Sequence, residues 1–315
     1  MSAEGQPLPA AVAPVVQVAT EAARSVVRTV AYSALFQSPL TLERLHRTLM
    51  DVRLDPGALA ETLDDPWVRA RVEVSGGLVH PRGRADWLAV RRVRRRHTRR
   101  LLLRHRRALA VLARCPFVRL VGLSGGCAHE NASDGDVDVF VVTRRGRAWS
   151  VYLALIAASR LLGVRRTLCI NYVVDESELA LPERDLFTAC ELVGMRPLSG
   201  REAYGRMVQA NDWVAERFPN FFFDRHASDA RGVPPAGPAP WLERVLDLGP
   251  APMLERLSRW AIGARLRRKA RGAAGLALSA GRLKLHLLDH RPRLMAAWRA
   301  AQHDAGVGEE QAEQP

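Results

Sequence analysis

The sequence of 315 residues has few cysteines and no long uncharged apolar run, and these absences exclude several classes of protein. Four cysteines are present, and they are widely spaced: Cys115, Cys127, Cys169 and Cys190. None belongs to a Cys-x-x-Cys pair, so we expect reduced, partly buried thiols and no zinc site. The most apolar stretch, residues 151–163, is interrupted by Arg160 and is shorter than the about 20 residues that span a bilayer. We therefore expect no membrane partner.

Several familiar sequence signals are also missing. The first residues, MSAEGQPLPAAVAP, lack the basic-then-apolar order of a signal peptide, so the cytoplasm is the expected location. No Walker A motif, no Rossmann fingerprint and no Ser-His-Asp arrangement is present. The sequence indicates no particular oligomeric state.

Positive charge is abundant and unevenly placed. The formal net charge is +14, and twelve arginines but only one acid, Asp86, lie between Arg82 and Arg107. Basic clusters attract polyanions through counterion release, so this segment is a candidate contact for nucleic acid. A solvated helix face is an equal alternative. The candidate contact residues are Arg91, Arg92, Arg95, Arg96 and Arg99.

The pattern before this segment predicts a winged-helix-like domain over residues 18–84, after a flexible tail over residues 1–17. Apolar positions at helical spacing indicate a helix over residues 21–36, and Thr41 and Asp55-Pro56 are good starts for two more. The sequence VEVSGGLVH then predicts a β-hairpin. The third helix has three acids and no basic residue, which favours a protein contact or a structural role over DNA reading. A basic linker helix is expected over residues 85–113.

The segment VRLVGLSGGCAHENASDGDVDVFVVT contains the residue pattern that indicates chemistry. An apolar strand ends at Ser124-Gly125-Gly126, and a second strand begins at Asp136-Val137-Asp138. Alternate side chains of a strand share a face, so Asp136 and Asp138 point the same way while Val137, Val139 and Val141 face the core. Two unpaired carboxylates favour Mg²⁺, and a Gly-Gly turn lets backbone amides approach phosphate oxygens.

This order and spacing resemble the signature of the DNA polymerase β-type nucleotidyltransferase superfamily, over residues 114–195. The resemblance implies an α+β fold with a small mixed sheet. It implies that Gly125 and Gly126, helped by Ser124, bind phosphate. It also implies that Asp136 and Asp138 are catalytic ligands of Mg²⁺, with room for two ions, and that a nucleoside triphosphate is the substrate. The whole chain is similar to a bacterial group that joins an N-terminal winged helix to such a domain.

The resemblance is incomplete at the third carboxylate that the superfamily usually carries on a later strand. In LCINYVVD the matching position is Asn171, which is neutral. Asp175 shares that face by strict alternation, so it is the candidate catalytic base that reaches the pair from the strand end. If the third acid is missing, we expect metal and nucleotide still to bind, although the transfer reaction is lost or weakened.

Two functions therefore stay open. The first is an Mg²⁺-dependent transfer of a nucleoside monophosphate to a hydroxyl of a protein, a nucleic acid or a small molecule. The alternative is a catalytically impaired protein that keeps the fold and binds nucleotide or nucleic acid as a regulator. A mostly helical C-terminal region is expected over residues 196–300, with a disordered tail over residues 301–315.

Overall fold

A computed structural model describes residues 19–224, 234–238, 240–249, 251–269, 275–285 and 290–307. The expected tail over residues 1–17 and most of the expected C-terminal tail lie outside these ranges. The described chain mixes helices with two sheets, as the α+β expectation requires.

The N-terminal module consists of short helices and a small antiparallel sheet. Its elements are α1 (Glu21–Ala34), β1 (Leu40–Thr41), α2 (Leu42–Arg47), α3 (Pro56–Asp64), α4 (Pro66–Arg69), β2 (Val72–Ser75) and β3 (Leu78–Pro81). The strands pair in the order β1-β3-β2, all antiparallel. Thr41 caps α2 by accepting the Arg44 amide at 3.2 Å, and Asp55 caps α3. The three predicted helices and the hairpin are present, whereas α4 and β1 were not predicted.

The basic helix α5 (Trp87–Ala113) is a single helix of 27 residues. Its first half lies against the segment that precedes Asp136. Arg95 Nε donates to Glu130 Oε2 at 2.9 Å, and the Ala132 amide donates to Thr98 Oγ1 at 3.1 Å. Its last turns enter the main core through Leu109 and Leu112. The helix is therefore both a connection and a support for the loop that carries the acids.

The main sheet has six strands in the order β7-β4-β5-β6-β9-β8. The strands are β4 (Val118–Leu123), β5 (Val137–Thr143), β6 (Leu168–Asp175), β7 (Arg196–Ser199), β8 (Leu276–Leu278) and β9 (Arg282–Leu285). β5 and β6 are parallel, and the other pairs are antiparallel. The helix α7 (Ala148–Leu161) makes the crossover between the two parallel strands, as such a pair requires.

Helices cover both faces of this sheet. One face buries Val137, Val139 and Val141 together with residues of α5, α7 and α13 (Ala251–Lys269). The other face buries Phe140 and Val142 under α8 (Leu186–Gly194), α9 (Arg201–Gln209), α10 (Val214–Arg217) and α11 (Pro219–Asp224). Successive apolar residues of β5 are therefore buried on opposite faces of the sheet, as expected for a strand in the middle of a sheet that helices cover on both faces.

The C-terminal region is less purely helical than the sequence indicated. It contributes β7, β8 and β9, so three of the six strands of the sheet lie after residue 195. Short apolar runs such as LAL and RLKL carry too weak a period to be assigned as strands from sequence. The helix α12 (Pro240–Leu248) is anchored to the sheet, because Arg119 donates two hydrogen bonds to Glu243, at 2.9 and 2.6 Å.

The last described helix, α14 (Arg291–Asp304), returns to the N-terminal module. Its Trp298 ring lies edge-on to Tyr32 of α1, with ring centroids 6.3 Å apart. Beyond it, Val307 is buried in the core of the module, and Arg71 Nε donates to the Ala305 carbonyl at 2.8 Å. Residues 301–307, which the sequence predicts to lie in the C-terminal tail, include the end of α14 and the buried Val307, and the rest of that tail lies outside the described residues.

In the described part of the chain, no helix combines the length and the apolar character that crossing a membrane would need. None of the four cysteines is in a disulfide, and Cys127 is buried while the other three are partly exposed, as the sequence predicted.

Candidate functional site

The turn after β4 packs directly onto an acidic side chain. Gly125 has φ +57°, and a Cβ placed there would lie 2.7 Å from Asp138 Oδ2. Only glycine satisfies both the left-handed backbone and this close approach. Gly126 is also tightly enclosed, since its Cβ would lie 3.1 Å from the Cα of Ala132. The two glycines thus hold the turn between β4 and α6 (Gly125–Ala128) against the start of β5.

The two predicted carboxylates lie at the start of β5. Asp136 is exposed and Asp138 is half-buried. Val137, Val139 and Val141 are fully buried on the opposite face, as alternation predicted. Burial, with help from the charges of Asp134 and Asp136, raises the pKa of Asp138 to about 6. In the described ranges, no Lys or Arg forms an ion pair with either residue.

A bulge in β6 aims Asn171 at this pair. Val139 pairs with Ile170 and Phe140 pairs with Tyr172, which leaves Asn171 as the extra residue. Its Nδ2 donates a hydrogen bond to Asp138 Oδ1 at 2.5 Å. The position that the superfamily pattern gives to a third acid is therefore occupied by an amide in contact with the central carboxylate.

The same bulge removes Asp175 from the site. One extra residue reverses the alternation, so Val173 lies in the core with Val139 and Val141, and Asp175 follows Val173 onto that face. Asp175 pairs with Thr143, five residues or about 16 Å beyond Asp138. There its carboxylate accepts the Gly146 amide at 2.8 Å and the Ser177 amide at 2.8 Å. The expectation that Asp175 reaches the acidic pair does not hold in this geometry.

A carboxylate that the sequence did not single out lies beside the pair. Glu191 of α8 is within hydrogen-bonding reach of the Gly125 amide and senses the charge of Asp138. Burial, and then the Asp138 charge, raise the pKa of Glu191 to about 7. The only signal in the sequence is a glutamate in the otherwise apolar helix LFTACELVG, which is too weak to assign a role.

The turn and the acids open into a cleft of about 450 Å³ between the N-terminal module and the sheet. Its walls include Asp134, Asp136, Asp138, Glu191, Gly125 and Gly126, together with Tyr32, Phe36, Arg44, Arg94 and His129. The Arg44 guanidinium contacts His129 Nδ1. The cleft therefore has an acidic floor and a basic, partly aromatic roof. Ser124 does not line it and instead lies in a smaller adjoining pocket.

The side chains of the cleft supply part of the oxygen donor set that a hard divalent cation requires. The described residues contain no group of three or more His, Cys, Asp or Glu side chains arranged as a metal site. Mg²⁺, however, commonly uses only one or two carboxylates and completes its shell with water and phosphate oxygens. Asp136 and Asp138 supply those carboxylates, and rotation of the Asn171 amide would turn its oxygen toward the same point.

The five candidate arginines of α5 do not share one environment. Arg91 is only 7% exposed. Arg95 and Arg99 are exposed and pair with Glu130, at 2.9 and 3.7 Å. Arg92 and Arg96 are exposed and form no ion pair within the described ranges. An exposed arginine face exists on α5, but Arg91 does not belong to it.

Neither the protein-family models nor the curated proteins nor the solved structures give a significant match to this chain. The chemistry of the cleft must therefore be inferred from its own residues.

Proposed function

We propose that the chain is an Mg²⁺-dependent nucleotidyltransferase of the polymerase β type, with its nucleotide site in the cleft at Gly125. The observation that carries the proposal is the packing of the Gly-Gly turn on Asp138, where a Cβ would come within 2.7 Å of the carboxylate. An apolar strand, a Gly-Gly turn and a strand with two alternating acids follow one another in the order that the resemblance implies. On this proposal the N-terminal module is a winged-helix-like domain that covers the nucleotide.

In this site Asp136 and Asp138 would hold Mg²⁺, which supplies charge neutralisation for the triphosphate when it is bound. The backbone amides of Gly125 and Gly126 would bind the phosphate oxygens, and Glu191 lies close enough to the Gly125 amide to compete for it. Arg44 and Arg94 lie across the cleft and place positive charge near the triphosphate.

The transfer itself requires that a proton leave the acceptor. The acceptor oxygen forms a bond to the α-phosphorus, the bond to the bridging oxygen breaks, and pyrophosphate departs. We assign the role of base to Glu191, which lines the cleft, since Asn171 has no basic oxygen and Asp175 lies about 16 Å along the sheet from Asp138. A base with a pKa of about 7 is half ionised at neutral pH.

A second function is favoured by the contact between Asn171 and Asp138. A neutral amide in place of the third acid lowers the negative charge of the site, so nucleotide binding without turnover is the alternative. Such a protein would act as a nucleotide- or nucleic-acid-binding regulator, using the exposed arginines of α5.

The deciding experiment separates binding from transfer. The protein is incubated with Mg²⁺ and nucleoside triphosphates labelled at the α-phosphate, with itself, RNA and a cell lysate as acceptors, while equilibrium binding of each triphosphate is measured in parallel. We expect transfer by the wild type and none by Asp138→Asn or Glu191→Gln. These two substitutions remove the negative charge and keep the volume of the side chain, so a loss of transfer is not caused by a cavity.

Three other results would contradict the proposed transferase function. Binding that Asp138→Asn abolishes, with no label transferred by any variant, would support the regulator. Label transferred equally by wild type and Asp138→Asn would reject the assigned site. Absence of Mg²⁺-dependent nucleotide binding would reject the nucleotide site in both functions and leave only nucleic-acid binding through α5.

A further inference from the structure

A further pocket, which contains none of the acidic residues of the cleft, lies between α2, the first half of α5 and β7. Its volume is about 330 Å³. Five arginines line it: Arg44, Arg47, Arg91, Arg95 and Arg196. The acidic residues in its wall are Glu43, which is exposed, and Glu130. Glu130 is already engaged by Arg95 and Arg99. The pocket thus carries more positive than negative charge.

Arg91 is the most informative residue of this pocket. It is 7% exposed, and its Nη1 is buried with no hydrogen-bond partner among the described residues. A buried, unpaired guanidinium nitrogen is costly in an isolated protein, since both its hydration and its hydrogen bond are lost. Such a group is retained most simply where an anion completes it.

Arg44 is a second arginine of this pocket whose pKa is lowered. Burial lowers its pKa to about 10, and the charges of Arg47 and Arg91 add to that effect. Burial also lowers the pKa of Arg91. The charge of Arg95 adds to the effect on Arg91, and Glu130 opposes the fall in pKa at both arginines. A bound anion would act in the same direction as Glu130.

We propose that this pocket binds a ligand carrying two or more linked phosphate groups. Five arginines line a space of about 330 Å³, and a guanidinium group has the planar donor geometry that matches phosphate oxygens. A single carboxylate accepts from one or two guanidinium groups, whereas linked phosphates carry more negative charge and more acceptor oxygens in a space of this size. The two sites share Arg44, but neither Asp136 nor Asp138 lines this pocket, so the two proposals can be tested separately.

Calorimetric titration with tripolyphosphate in the presence of EDTA tests this site without Mg²⁺. We expect the wild type to bind and Arg196→Ala, a change at an exposed residue, to weaken binding about tenfold or more. Arg91→Met removes the buried charge at similar length and should weaken binding at least as much. Its unfolding temperature should not fall below that of the wild type, whereas a purely structural Arg91 would lower it.

Three controls fix the location and the chemistry. Arg160→Ala, at an exposed position of α7, should leave binding unchanged. The double variant Asp136→Asn/Asp138→Asn should retain binding within about twofold, which separates this pocket from the cleft. Citrate, with three carboxylates, should bind at least tenfold more weakly than tripolyphosphate.

The source of the phosphates is identified by further ligands. Tighter binding of a nucleoside triphosphate than of tripolyphosphate points to a nucleotide, and tighter binding of an oligonucleotide points to a nucleic-acid backbone. Equal affinity of Arg196→Ala, Arg91→Met and wild type for tripolyphosphate would overturn the proposal. So would equal affinity of the wild type for citrate, or loss of binding in the Asp136/Asp138 double variant.

Discussion

Asn171 Nδ2 donates a hydrogen bond to Asp138 Oδ1 at 2.5 Å, from the bulge that interrupts β6. The amide stabilises the ionised carboxylate, and it opposes the rise in pKa that burial and the neighbouring acids cause. This hydrogen bond therefore affects the pKa of Asp138 and, on the proposed function, also the binding of a cation and the rate of transfer.

Replacing Asn171 by aspartate should make the stability of the protein depend on Mg²⁺. A second carboxylate at this distance repels Asp138, so Asn171→Asp should unfold at lower temperature than wild type in EDTA. Mg²⁺ should restore much of the loss, because it binds the folded state. Asn171→Ala should lose about 1 kcal/mol with no rescue. Thermal unfolding with and without Mg²⁺ measures this, and an equal Mg²⁺ response of the two variants would contradict it.

Gly125→Ala should destabilise the protein more than an alanine at another left-handed glycine. Gly163 is the matched control, with φ +68° and no atom within 4 Å of its added Cβ. Both variants lose the conformational freedom of glycine, but only Gly125→Ala forces a methyl group against Asp138. We expect an additional loss of about 1–3 kcal/mol in denaturant unfolding. Similar losses for both variants would show that the turn is not tightly packed.

Stability in EDTA should decrease as pH rises from about 5 to about 7. The folded-state pKa values of Asp138 and Glu191 are raised to about 6 and about 7, so the folded state binds more protons than the unfolded state in this window. The free energy of unfolding then falls as these carboxyls ionise. Glu191→Gln should remove part of that dependence, on the order of 1–3 kcal/mol at pH 8. Denaturant titrations at several pH values check the sign, which a flat profile would refute.

The Arg119–Glu243 pair should contribute more to stability than an exposed pair. Glu243 is almost buried and also accepts the Phe117 amide at 2.7 Å, so Glu243→Ala leaves Arg119 and that amide uncompensated. We expect a loss of about 2–4 kcal/mol. The exposed Arg206–Glu176 pair is the control, and Arg206→Ala should cost less than about 1 kcal/mol. Comparable losses in chemical denaturation would disprove the anchoring of α12.

If α5 binds nucleic acid, its unpaired arginines should dominate. Arg96 forms no ion pair within the described ranges, whereas its neighbour Arg95 is engaged with Glu130. Arg96→Ala should therefore lower the slope of log affinity against log salt by about 0.9 for duplex DNA, and Arg95→Ala by less. Binding of wild-type protein with no salt slope would exclude the electrostatic contact altogether.

Most of the site could be predicted from the sequence because it depends on local pattern. The Gly125-Gly126 turn and the placement of Asp136 and Asp138 follow from strand alternation and glycine geometry, and the structure has them there. Asp175 was misplaced because a single bulge residue reverses alternation, and no residue type in CINYVV marks that bulge. Glu191 was missed because it comes from a helix that only the tertiary fold brings to Gly125.

The fold was predictable to a similar extent. The helices of the N-terminal module have sequence caps at Thr41 and Asp55, and the hairpin has its Gly-Gly turn. The short strands β8 and β9 could not be assigned, because a strand of three or four residues is defined by its partner and not by its own period. The return of α14 to α1 is likewise a long-range contact that no local pattern specifies.

That return has a consequence for how the chain is made. The core of the N-terminal module includes Val307, and Arg71 is bonded to the Ala305 carbonyl. A ribosome releases residue 307 long after residues 19–84, so the core of this module stays open until α14 and Val307 have been made. Chains stopped before α14 should leave an open apolar face on α1 and depend on chaperones.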